Sequence, residues 1–169
     1  MKIRDRIKKL VRVPASELLP NPKNWRVHPE SQQNALRGVL AEVGIADAVL
    51  ARETKNGLQL IDGHLRADID PSIKWPVLVL DVTEEEADKI LLTHDPVSTM
   101  AEANIDQLET LLDEVNLEFA GAEELLDKLA LESGLLDIDD ETAGGEYDET
   151  VADDVDMVTC PKCKNEFPK

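Results

Sequence analysis

The segment Leu58-Gln-Leu-Ile-Asp-Gly-His-Leu-Arg66 constrains the fold of this chain more than any other. It reads as a short strand ending in a glycine turn that delivers His64 and Arg66 to the start of a helix, so sheet and helix must meet there. A helix N-terminus carries unpaired backbone N–H groups and a partial positive charge, which suits an anion, most naturally a phosphate. An arginine one turn in adds a bidentate grip on that anion. The same residues also fit a plain connection in which Arg66 pairs with a neighbouring carboxylate.

Charge is divided unevenly along the 169 residues, whose net charge is −18. Residues 1–80 hold 13 Lys/Arg against 9 Asp/Glu, whereas residues 81–159 hold 2 against 26. The acidic half should repel nucleic acid, which argues against strong non-specific DNA binding through many phosphate contacts. No apolar stretch approaches the roughly 20 residues that span a bilayer, and no membrane partner is expected. The basic segment 1–10 lacks the apolar core of a secretory signal, and its Ile3, Ile7 and Leu10 fit one face of a short helix. Two cysteines three apart, without an export signal, point to a reducing, cytoplasmic setting.

Organisation follows from periodicity and punctuation. A strand opens at Val11–Val13, and a Pro/Asn-rich turn occupies Ser16 to Pro22. Pro29 then starts a helix over Glu30 to Val43, with Leu36, Val39, Leu40 and Val43 on one stripe and Gly44 as its stop. Residues 48–53 and 58–62 form a hairpin around Thr54-Lys-Asn-Gly57. Pro76 to Asp81 reads as a buried strand, and Thr83-Glu-Glu-Glu86 as a capping box launching a helix that breaks at His94-Asp-Pro96. Helices at 105–115 and 121–132 carry leucine stripes that read as core packing. The predicted fold is α+β: a small mixed sheet with helices over 11–95, a helical annex over 96–135, then a tail. That tail divides into a flexible acidic linker over 136–158 and a CxxC segment over 159–169.

These ordered motifs resemble the ParB/sulfiredoxin superfamily of ParB-like N-terminal domains, over roughly residues 10–130. The likeness begins at Glu17-Leu-Leu-Pro-Asn-Pro-Lys-Asn-Trp-Arg26 and culminates in Ile61-Asp-Gly-His-Leu-Arg66, where the family has a strand followed by G-x-x-R. Asn24-Trp-Arg-Val-His-Pro-Glu-Ser-Gln32 looks most like members linked to DNA-modification methyltransferases. The resemblance implies a nucleotide- or DNA-phosphate-binding module in DNA processing, in a phage or methyltransferase-associated setting, with a methyltransferase or a second copy as partner. Its site would be Arg26, Gly63, His64 and Arg66. Partition ParB proteins bind CTP through this turn, but their second phosphate motif would fall at Leu92-Thr-His-Asp-Pro96, which lacks its Asn and Arg. Sulfiredoxin places a catalytic Cys where His64 stands, so that activity has no nucleophile here.

Whether the chain is an enzyme stays open at the sequence level. The same turn would serve an NTP-hydrolysing or phosphotransfer enzyme or a nuclease, with His64 as a candidate general base. A degenerate pocket would leave a protein-interaction adaptor. Mg²⁺ accompanying a nucleotide has candidate ligands in Asp62, Asp68, Asp70, Asp81 and Asp95, although Asp68 and Asp70 equally fit a solvated helix end. Cys160 and Cys163 resemble half of a zinc ribbon, whose remaining ligands would come from a partner or from His28 or His94.

Overall fold

The computed structural model describes residues 3–136, 157–159, 162 and 166–168. The chain divides into two compact units, residues 1–135 and 136–169. The first is α+β, as its alternation of strand and helix signals predicts. It runs β1 (Ile7–Pro14), a 3-10 turn (Ala15–Glu17), β2 (Leu18–Leu19), α1 (Glu30–Glu42), β3 (Val49–Thr54) and β4 (Gly57–Asp62). There follow α2 (His64–Ile69), β5 (Lys74–Leu80), α3 (Glu84–Ser98), α4 (Ile105–Glu114) and α5 (Ala120–Glu132).

The sheet is mixed, in the order β1-β5-β3-β4-β2. β1 is antiparallel to β5 and β3 to β4, while β3 is parallel to β5 and β2 to β4. The central strands are apolar on successive residues because both sheet faces are covered. Val49, Ala51, Leu60, Val77 and Val79 face one cluster with Trp75 and Leu40 of α1. Their neighbours Leu50, Ile61, Leu78 and Leu80 face another, under Ala87, Ile90 and Leu91 of α3. This is the period-2 alternation of a strand buried on two sides. β5 begins at Lys74, ahead of the expected Pro76. The proline is tolerated because pairing with β3 starts only at Val77.

Three expectations are corrected. Residues 7–10 are not a helical face but the first half of β1, with Ile7 opposite Leu80 and Leu10 opposite Leu78. The ladder offered by β5 outweighs a local apolar spacing that has nothing to pack against. α3 does not stop at His94-Asp-Pro96 but runs to Ser98 with Pro96 inside its last turn, so that the helix goes without the one hydrogen bond a residue there would donate to the Leu92 carbonyl. The leucine stripes of α4 and α5 are only partly core. α5 buries Ala122 and Ala130 while Leu125 and Leu129 stay exposed, and no residue of α4 is buried.

In the second unit, β6 (Met157–Thr159) and β7 (Glu166–Pro168) pair antiparallel. Met157 and Val158, expected to close the acidic linker, therefore belong to a strand. Residues 137–156 of that linker, and Cys160 and Cys163, lie outside the described residues.

Candidate functional site

β4 ends at Asp62 and the chain reverses through Gly63, whose φ of +93° lies in the left-handed region that glycine enters without strain. A Cβ at this position would sit 2.5 Å from Val49 Cγ1, so the turn also needs the space that a side chain would fill. The Gly63 carbonyl accepts the Ala67 N–H at 3.0 Å and starts α2. His64 is thereby set inward and is only 9% exposed. Its Nε2 accepts the backbone N–H of Asn21 at 3.2 Å, which fixes the proton on Nδ1. Burial pushes the His64 pKa below its ordinary value, with His28 adding to the effect and Asp62 and Asp68 opposing it. The Nε2 lone pair is thus engaged in tying the opening loop to α2.

That loop is built from asparagine turns. Asn21 Oδ1 accepts the Lys23 N–H at 3.0 Å, and Asn24 Oδ1 accepts the Arg26 N–H at 3.4 Å. They deliver Arg26, whose guanidinium lies 4.8 Å from the Trp25 ring centre and whose Nε pairs with Asp95 at 3.1 Å. Arg66 pairs with Asp47 at 2.5 Å and with Asp62 at 3.4 Å. The carboxylate pairing of Arg66 expected as an alternative is therefore the arrangement present.

Arg26, Gly63, His64 and Arg66 all line one cavity of about 750 Å³. The structure brings these sequence-predicted residues together from segments 40 positions apart. Its other walls come from Gln32, Ala35 and Leu36 of α1, Leu91, His94 and Asp95 of α3, and Gly121, Glu124 and Lys128 of α5. All three histidines of the chain, His28, His64 and His94, face this space. The contribution of α5 is absent from the sequence reading. Its signal was the small-residue spacing of Ala35 and Gly38 on α1 and of Gly121 and Ala122 on α5. A Cβ on Gly38 would lie 2.9 Å from Ala122 Cβ, and one on Gly121 would lie 2.6 Å from the Asn34 carbonyl oxygen. The two helices meet at backbone distance, and Glu124 and Lys128 are carried to the cavity.

Charge around the cavity is balanced, with Arg26, Arg66 and Lys128 against Asp62, Asp95 and Glu124. Among the described residues, no group of three His, Cys, Asp or Glu side chains is placed to hold a metal ion. Asp70 closes a turn on Ser72 instead, through the Ser72 N–H at 2.8 Å and hydroxyl at 2.7 Å, and Asp68 is exposed. Likewise, among the described residues no helix is long and apolar enough to cross a membrane.

No protein-family model matches the chain, and no curated protein matches it either. Two solved ParB structures are similar to it. One is the C-terminally truncated chromosome-partitioning protein ParB from Caulobacter crescentus complexed with CTP-gamma-S, at 18% identity and a TM-score of 0.49. The match covers 76% of this chain and 66% of that one. The other is the Pnob8-like ParB-N domain in its C2221 form, at 16% identity and a TM-score of 0.41, covering 95% of this chain and 56% of that one. The chain thus spans less than two thirds of the length of either.

Proposed function

We propose that the first unit is a nucleotide-binding module in which Arg26 and Arg66 hold the phosphates of a ligand seated in the cavity. The observation that carries this reading is the convergence of both arginines on one concave space, beside the Gly63 turn. Among the described residues, each is ion-paired with carboxylates that a polyphosphate can displace. A triphosphate brings several charges and fork-shaped acceptors to guanidinium groups now held by Asp95 on Arg26 and by Asp47 and Asp62 on Arg66. The cavity falls within the few hundred to about 1,000 Å³ usual for small-molecule sites, which favours a mononucleotide over a DNA strand. Mg²⁺, if it comes, arrives on the phosphates and takes one or two protein carboxylates, Asp62 or Asp95 being nearest to hand. The sequence resemblance sets such a module in DNA processing, beside a modification methyltransferase or in a phage.

The test is thermal unfolding of wild type and Arg66→Ala with CTP, ATP, GTP and ADP in Mg²⁺, with and without duplex DNA. At a hundredfold excess over Kd a ligand that binds only the folded state adds about 2.7 kcal/mol, so a shift is readily seen. A nucleotide shift lost in Arg66→Ala supports the site; no shift with any nucleotide overturns it. The second reading, a protein-interaction adaptor with a degenerate pocket, is favoured by the charge balance around the cavity and expects no ligand-dependent stabilisation.

A further inference from the structure

α4 is a well-formed helix with almost nothing to hold it. Asn104 caps it by accepting the Gln107 N–H at 3.2 Å, and the Thr110 hydroxyl bonds the Asp106 carbonyl at 2.9 Å. Its apolar residues Ile105, Leu108 and Leu112, with Val115 just past its end, recur at heptad spacing, and Leu111 lies beside them. Yet no residue of α4 is buried, and it touches α5 only lightly. Leu108 and Leu112 are half-buried, whereas Leu111 is 57% exposed, and Ile105 and, just past the end of the helix, Val115 are each 42% exposed. Isolated helices shorter than about 12–15 residues are marginal in water, and most helices in proteins are held by burying their apolar face. A ten-residue amphipathic helix with Ile105 and Leu111 exposed and nothing fully buried keeps part of that face free for a partner.

Charge selects the occupant. Residues 101–119 contain six carboxylates, Glu102, Asp106, Glu109, Asp113, Glu114 and Glu118, and no Lys or Arg. A second copy would set this acidic face against itself, and nucleic acid or an anionic lipid surface would be repelled. A polypeptide helix with an apolar stripe flanked by Lys and Arg satisfies both the stripe and the charge. We infer that α4 is the docking surface for a basic amphipathic helix of a partner protein.

The test uses the full chain and, as probe, a fluorescent synthetic peptide of about 18 residues, long enough to be helical. It carries leucines at heptad spacing and lysines elsewhere, and a scrambled peptide of equal composition is the control. The expected result is binding by the heptad peptide, weakened about tenfold or more both in Leu111→Ser/Val115→Ser and in Glu109→Lys/Asp113→Lys. The scrambled peptide should be weaker by a similar factor, and neither variant should shift the unfolding midpoint appreciably, since neither touches a buried residue. Equal binding of the scrambled peptide, equal binding by the serine variant, or no binding of the heptad peptide overturns the inference. Sedimentation showing a wild-type dimer that the serine variant dissolves also overturns it, by making the second copy the occupant.

Discussion

At the scale of single residues, Gly63 and His64 divide the work of the turn. Gly63 supplies a backbone conformation and a vacancy against Val49, neither of which a substitution preserves. Gly63→Ala should therefore destabilise the fold by about 2–6 kcal/mol, combining left-handed strain with overpacking, as measured by denaturant unfolding. His64 supplies an acceptor that exists only in the neutral ring. Its folded pKa lies below the unfolded one, so at pH near and below 6.5 the unfolded chain binds the proton more readily. Stability from this group is complete above that value and declines as pH falls through the interval down to the folded pKa. Unfolding curves from pH 7.5 to 5.5 should show a loss in wild type that is reduced in His64→Gln, whose amide oxygen can accept the Asn21 N–H without titrating. An identical slope in both proteins would show that His64 is not the titrating group.

At the scale of elements, the molecule uses small residues and caps to position what longer side chains line. α5 approaches α1 through Gly38, Gly121 and a fully enclosed Ala122. Ala122→Leu should cost about 1–3 kcal/mol by forcing the helices apart, with the change read in denaturant midpoint. It should also weaken any nucleotide response by displacing Lys128 and Glu124 from the cavity wall. The elements most legible in the sequence were those with local causes. Pro29 and Gly44 bracket α1, the Thr54 to Gly57 turn joins β3 to β4, and Thr83 and Glu86 make both hydrogen bonds of the capping box. The strand at Val11–Val13 is legible, but its extension back to Ile7 is not, because its partner, β5, lies some 65 residues away in sequence and no local signal announces it. The stripe of α4 was misread because periodicity reports an apolar face but not what covers it. The cavity was half legible. Its glycine turn and two arginines are sequence motifs, whereas the α5 wall depends on a helix contact that only three-dimensional packing creates.

At the scale of the whole molecule, pH sets two opposing effects against each other. The chain carries 36 carboxylates against 18 Lys/Arg, so protonating its unpaired acids relieves self-repulsion as pH falls. Two glutamates act in the other direction, and both fasten the edge strand β1 or the arm before it. Glu86 is pulled down to about 2, first by the Thr83 backbone N–H and then by Arg6, with Arg6 Nη2 at 2.6 Å. Glu53 is likewise pulled down to about 2 by Lys8 and Lys9. Because both folded pKa values lie below the ordinary glutamate value of 4.5, their contribution is complete above that pH. It disappears as pH falls from about 4.5 to about 2. Acid unfolding should therefore begin at β1, with its amides losing exchange protection before those of β3 and β5, which are buried on both faces. Glu86→Gln should flatten the acid limb of the stability curve between pH 4.5 and 2. Added salt should weaken wild type in the same interval, because these pairs stand at the surface where ions screen them. Simultaneous loss of protection across all strands would instead place the acid-sensitive contacts in the core, and with them the origin of the limb.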